Sequence, residues 1–326
     1  MEKVLSSEKL FFFQVLMDYL FYRETSTPDN IDEARVLELT QPHGLGAIFF
    51  EQTKNPIFAK DYLIISSVNI IREYLMSEIK EQLEGIDYFI VSEFESAKYY
   101  PNSTCRGMES VHLIVHKKDE KRVREILLAN EFSQYPKKRK QIFRKKSLIV
   151  EIHNNLNYHL SSDVKDTQKF LNECWNYCAN HELDKNYYFL YLIIRLKKQI
   201  LQKKISFQNF FDISCIVKNE NLDWNWIIQH AKQTNLFEYM VNILSFCAEW
   251  MDIEMPSCID YEMEDIIEQT NLMFACAKEN TDMSDIVNFE KEGQCSMRIG
   301  DFISNWLSQY SFGSKLIHLH NSFMGT

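Results

Sequence analysis

The sequence predicts an α+β protein in which a small mixed sheet is embedded between N-terminal helices and a C-terminal helical bundle. Three observations carry this. Only 8 Gly and 6 Pro occur in 326 residues, too few for an architecture built on tight turns, so helices should dominate. Apolar residues recur at helical spacings before residue 85 and again after about 165. Between them, β-rich runs such as Tyr88-Phe89-Ile90-Val91 and Leu148–His153 break the rhythm. The expected boundaries are 1–84 for the N-terminal helices, 85–160 for the α/β core and 161–326 for the helical domain. A chain that is 45% hydrophobic and 13% aromatic has the material for ordinary cores at this length.

Helical periodicity marks residues 1–25, about 33–54 and 58–84. Leu10-Phe11-Phe12-Phe13 is interrupted by Gln14 and Asp18, the mark of an amphipathic helix and not of a signal sequence. In 58–84 the apolar positions Tyr62, Ile65, Val68, Ile71, Leu75 and Ile79 repeat at three- and four-residue steps, and Gly85 is placed to end the helix. Tyr88–Val91 reads as a buried strand, Glu93–Tyr100 as a helical turn stopped by Pro101, and Val111–Val115 as a second strand. Asp119–Asn130 is a helix facing inward with Val123, Ile126 and Leu127; Gln141–Arg144 and Leu148–His153 are two further strands about a basic turn.

After residue 165 the helical signature stays. Asn186–Lys203, Ser206–Lys218, Asp223–Thr234 and Leu236–Met251 are spaced as in a bundle, with Ser206 and Asp223 placed as N-caps. Trp224, Trp226, Phe237 and Tyr239 belong to its core. Residues 259–326 are expected to hold two or three more helices. No apolar run approaches the roughly 20 residues a membrane helix needs; Phe189–Ile194 stops at Arg195, so no membrane partner is expected.

Eight cysteines lie without paired spacing, which fits reduced thiols in a cytoplasm. The net charge of −10 hides an asymmetry: Lys117–Lys146 holds 12 Lys/Arg against 4 Asp/Glu, leaving −18 on the remainder. Such a patch is either a solvated surface or a site for an anionic partner, with acidic peptide or protein and nucleotide ahead of nucleic acid because the whole chain is acidic. Cys174, Cys178 and His181 fall at i, i+4 and i+7, a zinc-ligating face if helical, but no second pair completes it. Gly44-Leu45-Gly46 lacks the rest of a phosphate loop, and His318-x-His320 is too short to define a site.

Two blocks carry a family resemblance. The first is Tyr99-Tyr100-Pro101, then Arg106-Gly107-Met108-Glu109-Ser110-Val111-His112-Leu113-Ile114-Val115, the helix ending at Asn130-Glu131-Phe132, and Ile149-Val150-Glu151-Ile152-His153. The second runs from Tyr187 to Ile253 and includes Phe210-Phe211-Asp212-Ile213 and Leu222-Asp223-Trp224. Together they resemble the uncharacterised nucleotidyltransferase family of the polymerase-beta-like superfamily, over about residues 87–255. The resemblance implies a sheet of nucleotidyltransferase type, and a reaction in which carboxylates on neighbouring strands hold Mg²⁺ or Mn²⁺ with an NTP. It also brings an association with peptide-modification systems.

This sequence departs from the family where the chemistry is concentrated. The paired aspartates are replaced by Ser110 and His112, leaving Glu151, and the phosphate loop is Ser92-Glu93, an acid where a triphosphate would approach. The expected function is therefore a binding or accessory module for an anionic partner on a degenerate fold. Its alternative is an active nucleotidyltransferase using Glu151 with Glu109, His112 or Ser110. Glu109 alternates to the opposite face from Ser110 and His112 unless a bulge re-aims it. Arg106, Lys137, Lys138, Arg139, Lys140, Arg144 and Lys145 are the expected anion-binding residues. If the two strands are neighbours, Glu151, His112 and His153 share a face and suit a single Zn²⁺, or Mn²⁺ or Fe²⁺, better than Mg²⁺; the alternative is a structural His153 hydrogen-bonded under the sheet.

Overall fold

The computed structural model describes residues 5–259, except 92, 108–109, 136–140, 160–164 and 202–205, together with 266–267, 270–271 and 273–274. The chain opens with α1 (Ser7–Leu20), capped by the Ser6 hydroxyl, then α2 (Glu33–Thr40), capped by Asp32. The helical stretch expected over 33–54 is two helices. Pro42 and the left-handed Gly44 (φ 66°) turn the chain before α3 (Gly46–Thr53). Gly46 is required by packing, since a Cβ there would collide with the Asp61 carboxylate.

The long α4 (Ala59–Gln82) leads into β1 (Tyr88–Val91), α5 (Glu93–Ala97), β2 (Val111–Val115) and α6 (Glu120–Ala129). The short β3 (Ser133–Gln134), β4 (Ile142–Lys145) and β5 (Leu148–His153) complete a five-stranded mixed sheet in the order β1-β2-β5-β4-β3. The sequence shows four of these strands; β3, two residues long, exists only as a partner to β4. Only the β2–β5 pair is parallel. α7 (Lys165–Asn172) and a hairpin of β6 (Cys178–Ala179) and β7 (Glu182–Leu183) follow, then α8 (Lys185–Leu201), α9 (Phe207–Asn219), α10 (Trp224–Gln233) and α11 (Phe237–Met251). No helix among the described residues is long and apolar enough to cross a membrane.

The sheet's two faces differ, and that difference positions the site. On one face Ile90, Leu113, Val150 and Ile152 pack with Leu75, Met76 and Ile79 of α4 and with Val123 and Leu127 of α6. On the other, Phe89 and Ile114 join the core shared with the helical bundle, where the Trp175 ring meets Phe89 edge-on at 4.9 Å. Strand β5 alternates, with Leu148, Val150 and Ile152 buried and Ile149, Glu151 and His153 half-buried. Leu63, Ile64, Ile70, Ile71 and Tyr74 of α4 are exposed, although the sequence groups Ile71 with its core-facing stripe.

One aromatic cluster ties the first helix to the last ones. Phe12 and Phe13 of α1 meet Phe207 of α9 at 5.5 and 5.3 Å, and Phe207 stacks on Phe246 of α11 at 6.0 Å. His43 sits inside this cluster, 4.4 Å from the Phe207 ring, and its Nδ1 accepts the Phe207 backbone N–H at 3.2 Å. Its Nε2 has no hydrogen-bond partner among the described residues.

Burial drives the His43 imidazole pKa down to about 3. A histidine in the unfolded chain titrates near ~6.5, so below that pH the unfolded state takes up a proton that the folded state refuses. Stability should then fall by about 1.4 kcal/mol per pH unit as pH drops from ~6.5 toward 3. Urea unfolding at about pH 5 is expected to show roughly 2 kcal/mol less stability than at pH 7, and His43→Leu to remove that part of the slope. An undiminished slope in the variant would assign it to other groups.

Candidate functional site

The parallel join of β2 and β5 sets His112 beside Glu151 and Ile114 beside His153. Because side chains alternate along a strand, His112, Glu151 and His153 emerge on the sheet face opposite α4 and α6. Their donor atoms converge. His112 Nδ1 lies 3.3 Å from His153 Nε2, His153 Nε2 lies 3.5 Å from Glu151 Oε2, and His112 Nδ1 lies 3.9 Å from the same oxygen. All three ligand atoms fall within 4.8 Å of one another. Ser110 supplies the orientation, its Oγ lying 3.3 Å from His112 Nε2, which leaves Nδ1 turned to the other two. The His112 side chain is 7% exposed, but those of Glu151 and His153 are 22% and 17% exposed, so one side of the trio is reachable.

The Mg²⁺ chemistry that the resemblance implies needs several hard oxygen ligands. Among the described residues the face offers one carboxylate, one hydroxyl already directed at His112, and two imidazoles. That set does not fit Mg²⁺.

Among the described residues, Arg106 does not join the trio. Arg106, expected to bind an anion, is 3% exposed and paired with Asp212 of α9. Its Nε donates to Asp212 Oδ1 at 2.8 Å and its Nη2 to Oδ2 at 2.7 Å, while the Tyr100 hydroxyl donates to Oδ1 at 2.6 Å. Asn69 of α4 holds the Arg106 carbonyl at 2.7 Å. This arrangement commits Arg106 to the interior, where Tyr100 and Arg106 of the first sequence block meet Asp212 of the second. The signal for it was a carboxylate inside the apolar run Phe210-Phe211-Asp212-Ile213.

Among the described residues of the basic segment, the sheet parts Arg144 from the cations of α6. Lys121, Arg122 and Arg124 are exposed on α6, which packs on the face away from the trio. On β4, Arg144 alternates to the face of Glu151, where its Nε donates to the Lys146 carbonyl at 2.9 Å; Lys145 turns to the α6 side and lies 3.9 Å from Glu131. Glu109, Lys137, Lys138, Arg139 and Lys140, like His318 and His320, lie outside the described residues.

The zinc reading of Cys174, Cys178 and His181 fails on conformation. Cys174–Tyr177 is one 3₁₀ turn and Cys178 begins β6, so no helix face aligns the three. His181 instead stacks on Tyr88 with ring centroids 4.2 Å apart. A cleft of about 960 Å³ opens between the end of α5, the β6–β7 hairpin and the start of α8, lined by Lys98, Tyr99, Tyr177, Lys185 and Glu220 among others. None of Ser110, His112, Glu151 or His153 lines it, so cleft and trio are separate features.

Comparison with known proteins gives one match. A family model described as an uncharacterised nucleotidyltransferase matches residues 77–252, more than half of the chain. No curated protein and no solved structure matches.

Proposed function

The chain belongs to the uncharacterised nucleotidyltransferase family, and from that premise we propose that it acts as a binding or accessory module for an anionic partner and not as a nucleotidyl transferase. The observation that carries this reading is the ligand set on the β2–β5 face. Ser110 and His112 stand where the resemblance expects aspartates and are directed at each other, 3.3 Å apart, with Glu151 the one carboxylate beside them among the described residues. Among the described residues too few oxygens stand there to hold two Mg²⁺ ions on a triphosphate.

The exposed cations support the partner's charge. Lys121, Arg122 and Arg124 line the outer surface of α6, in a segment with a surplus of eight positive charges on an acidic chain. An acidic peptide is the partner we favour, in keeping with the peptide-modification systems that the resemblance brings.

Purified protein with labelled NTPs and Mg²⁺ or Mn²⁺ is expected to show no metal-dependent nucleotide consumption. Consumption that disappears in Glu151→Ala would overturn the reading. A poly-glutamate peptide is expected to bind with a salt-dependent affinity that charge reversal at Lys137–Lys140, or at Lys121, Arg122 and Arg124, weakens and flattens. Binding indifferent to salt and to both sets would remove the patch from the proposal.

A further inference from the structure

We propose that His112, Glu151 and His153 hold a single divalent d-block cation, Zn²⁺ foremost, with a fourth coordination position open to solvent or ligand. This goes beyond the binding-module reading and does not depend on it, since it concerns the trio and not the basic surface.

Zinc bonds imidazole nitrogen at about 2.0–2.1 Å, so two ligand atoms at a tetrahedral angle stand about 3.3 Å apart. His112 Nδ1 and His153 Nε2 are 3.3 Å apart, and Glu151 Oε2 lies 3.5 and 3.9 Å from them. A small swing of the half-buried Glu151 carboxylate closes the longer edge. The backbone need not move, because the β2–β5 register already fixes which three side chains meet.

Ligand chemistry agrees with the spacing. Two neutral imidazoles and one carboxylate suit Zn²⁺ and its neighbours and disfavour Mg²⁺. A zinc-bound histidine needs its far nitrogen engaged so that the lone pair on the near one faces the metal. Ser110 does this for His112, taking Nε2 and leaving Nδ1 at the trio. With three protein ligands on a face where Glu151 and His153 remain partly exposed, the ion would keep an open position, unlike a closed four-ligand structural site. That position is suited to a water or to an anionic group such as a carboxylate or phosphate.

The test is zinc binding to the full chain after chelation, by calorimetry and by metal analysis of dialysed protein. One Zn²⁺ per chain is expected, undisturbed by millimolar Mg²⁺. Glu151→Gln and His153→Ala should each weaken it roughly 100-fold or more, and Ser110→Ala roughly 10-fold by freeing the His112 ring. Co²⁺ in place of zinc should give the visible absorption of a four-coordinate nitrogen–oxygen site without a thiolate band. Both ligand variants should keep the metal-free unfolding midpoint, which separates ligand loss from misfolding; if either does not, His153→Gln takes its place. Absence of stoichiometric zinc would overturn the proposal and leave a hydrogen-bonded trio, as would zinc lost only in Cys174→Ser/Cys178→Ser.

Discussion

Replacing Asp212 with alanine is expected to lower unfolding stability by about 3–5 kcal/mol, the range for stranding one charge of a buried pair. Arg106 and Asp212 side chains are 4% and 3% exposed, so neither recovers solvation when the other is removed. Burial works against the Arg106 charge, but the Asp212 carboxylate and the Tyr100 oxygen outweigh it and hold the guanidinium ionised above its usual range. Tyr100, whose phenol burial pushes well above the ordinary range, would lose its acceptor in the same change. The double variant Arg106→Met/Asp212→Leu should lose far less than the single one, because it removes both charges and keeps apolar volume. Urea unfolding of the four proteins measures this; an Asp212→Ala loss within about 1 kcal/mol of zero would mean that the pair is solvated or replaceable.

Phe207→Ala is expected to cost about 3–5 kcal/mol as well, through lost burial and the cavity left behind. Phe207 is fully buried where three parts of the chain converge, with Phe12, Phe246 and Phe274 around it at 5.5, 6.0 and 4.6 Å. The cavity has rigid rings for walls and little means to collapse. Thermal unfolding should show the loss, with Phe207→Leu retaining part of it. A variant as stable as the parent would show that the ring cluster repacks.

The parts legible in the sequence were those with local causes. β5 announced itself by period-two burial, and the trio followed from it once β2 was its neighbour. The break at Pro42 and Gly44 was also local, but a helical apolar pattern on both sides hid it. The β6–β7 hairpin turns through Asn180 and His181, both at positive φ (52° and 66°). Asn180 was the signal there, outweighed by the helical spacing of the two cysteines. The Arg106–Asp212 pair spans 106 positions, and no local pattern reveals such a partner. Counting charges along Lys117–Lys146 likewise missed that α6 packs on the sheet face away from the trio, which parts Lys121, Arg122 and Arg124 from Arg144.

The parallel join that builds the trio also sets a time order on the ribosome. His112 and Glu151 are neighbours in the sheet but 39 residues apart in the chain, so at about 5–20 residues per second His112 emerges roughly 2–8 s before its carboxylate partner. The antiparallel β4–β5 hairpin can close on its own within microseconds of emerging, whereas β2 must wait for the hairpin to dock beside it. For those seconds the nascent chain carries His112 without Glu151 or His153, and the proposed cation site is complete only once the last strand of the sheet has been made.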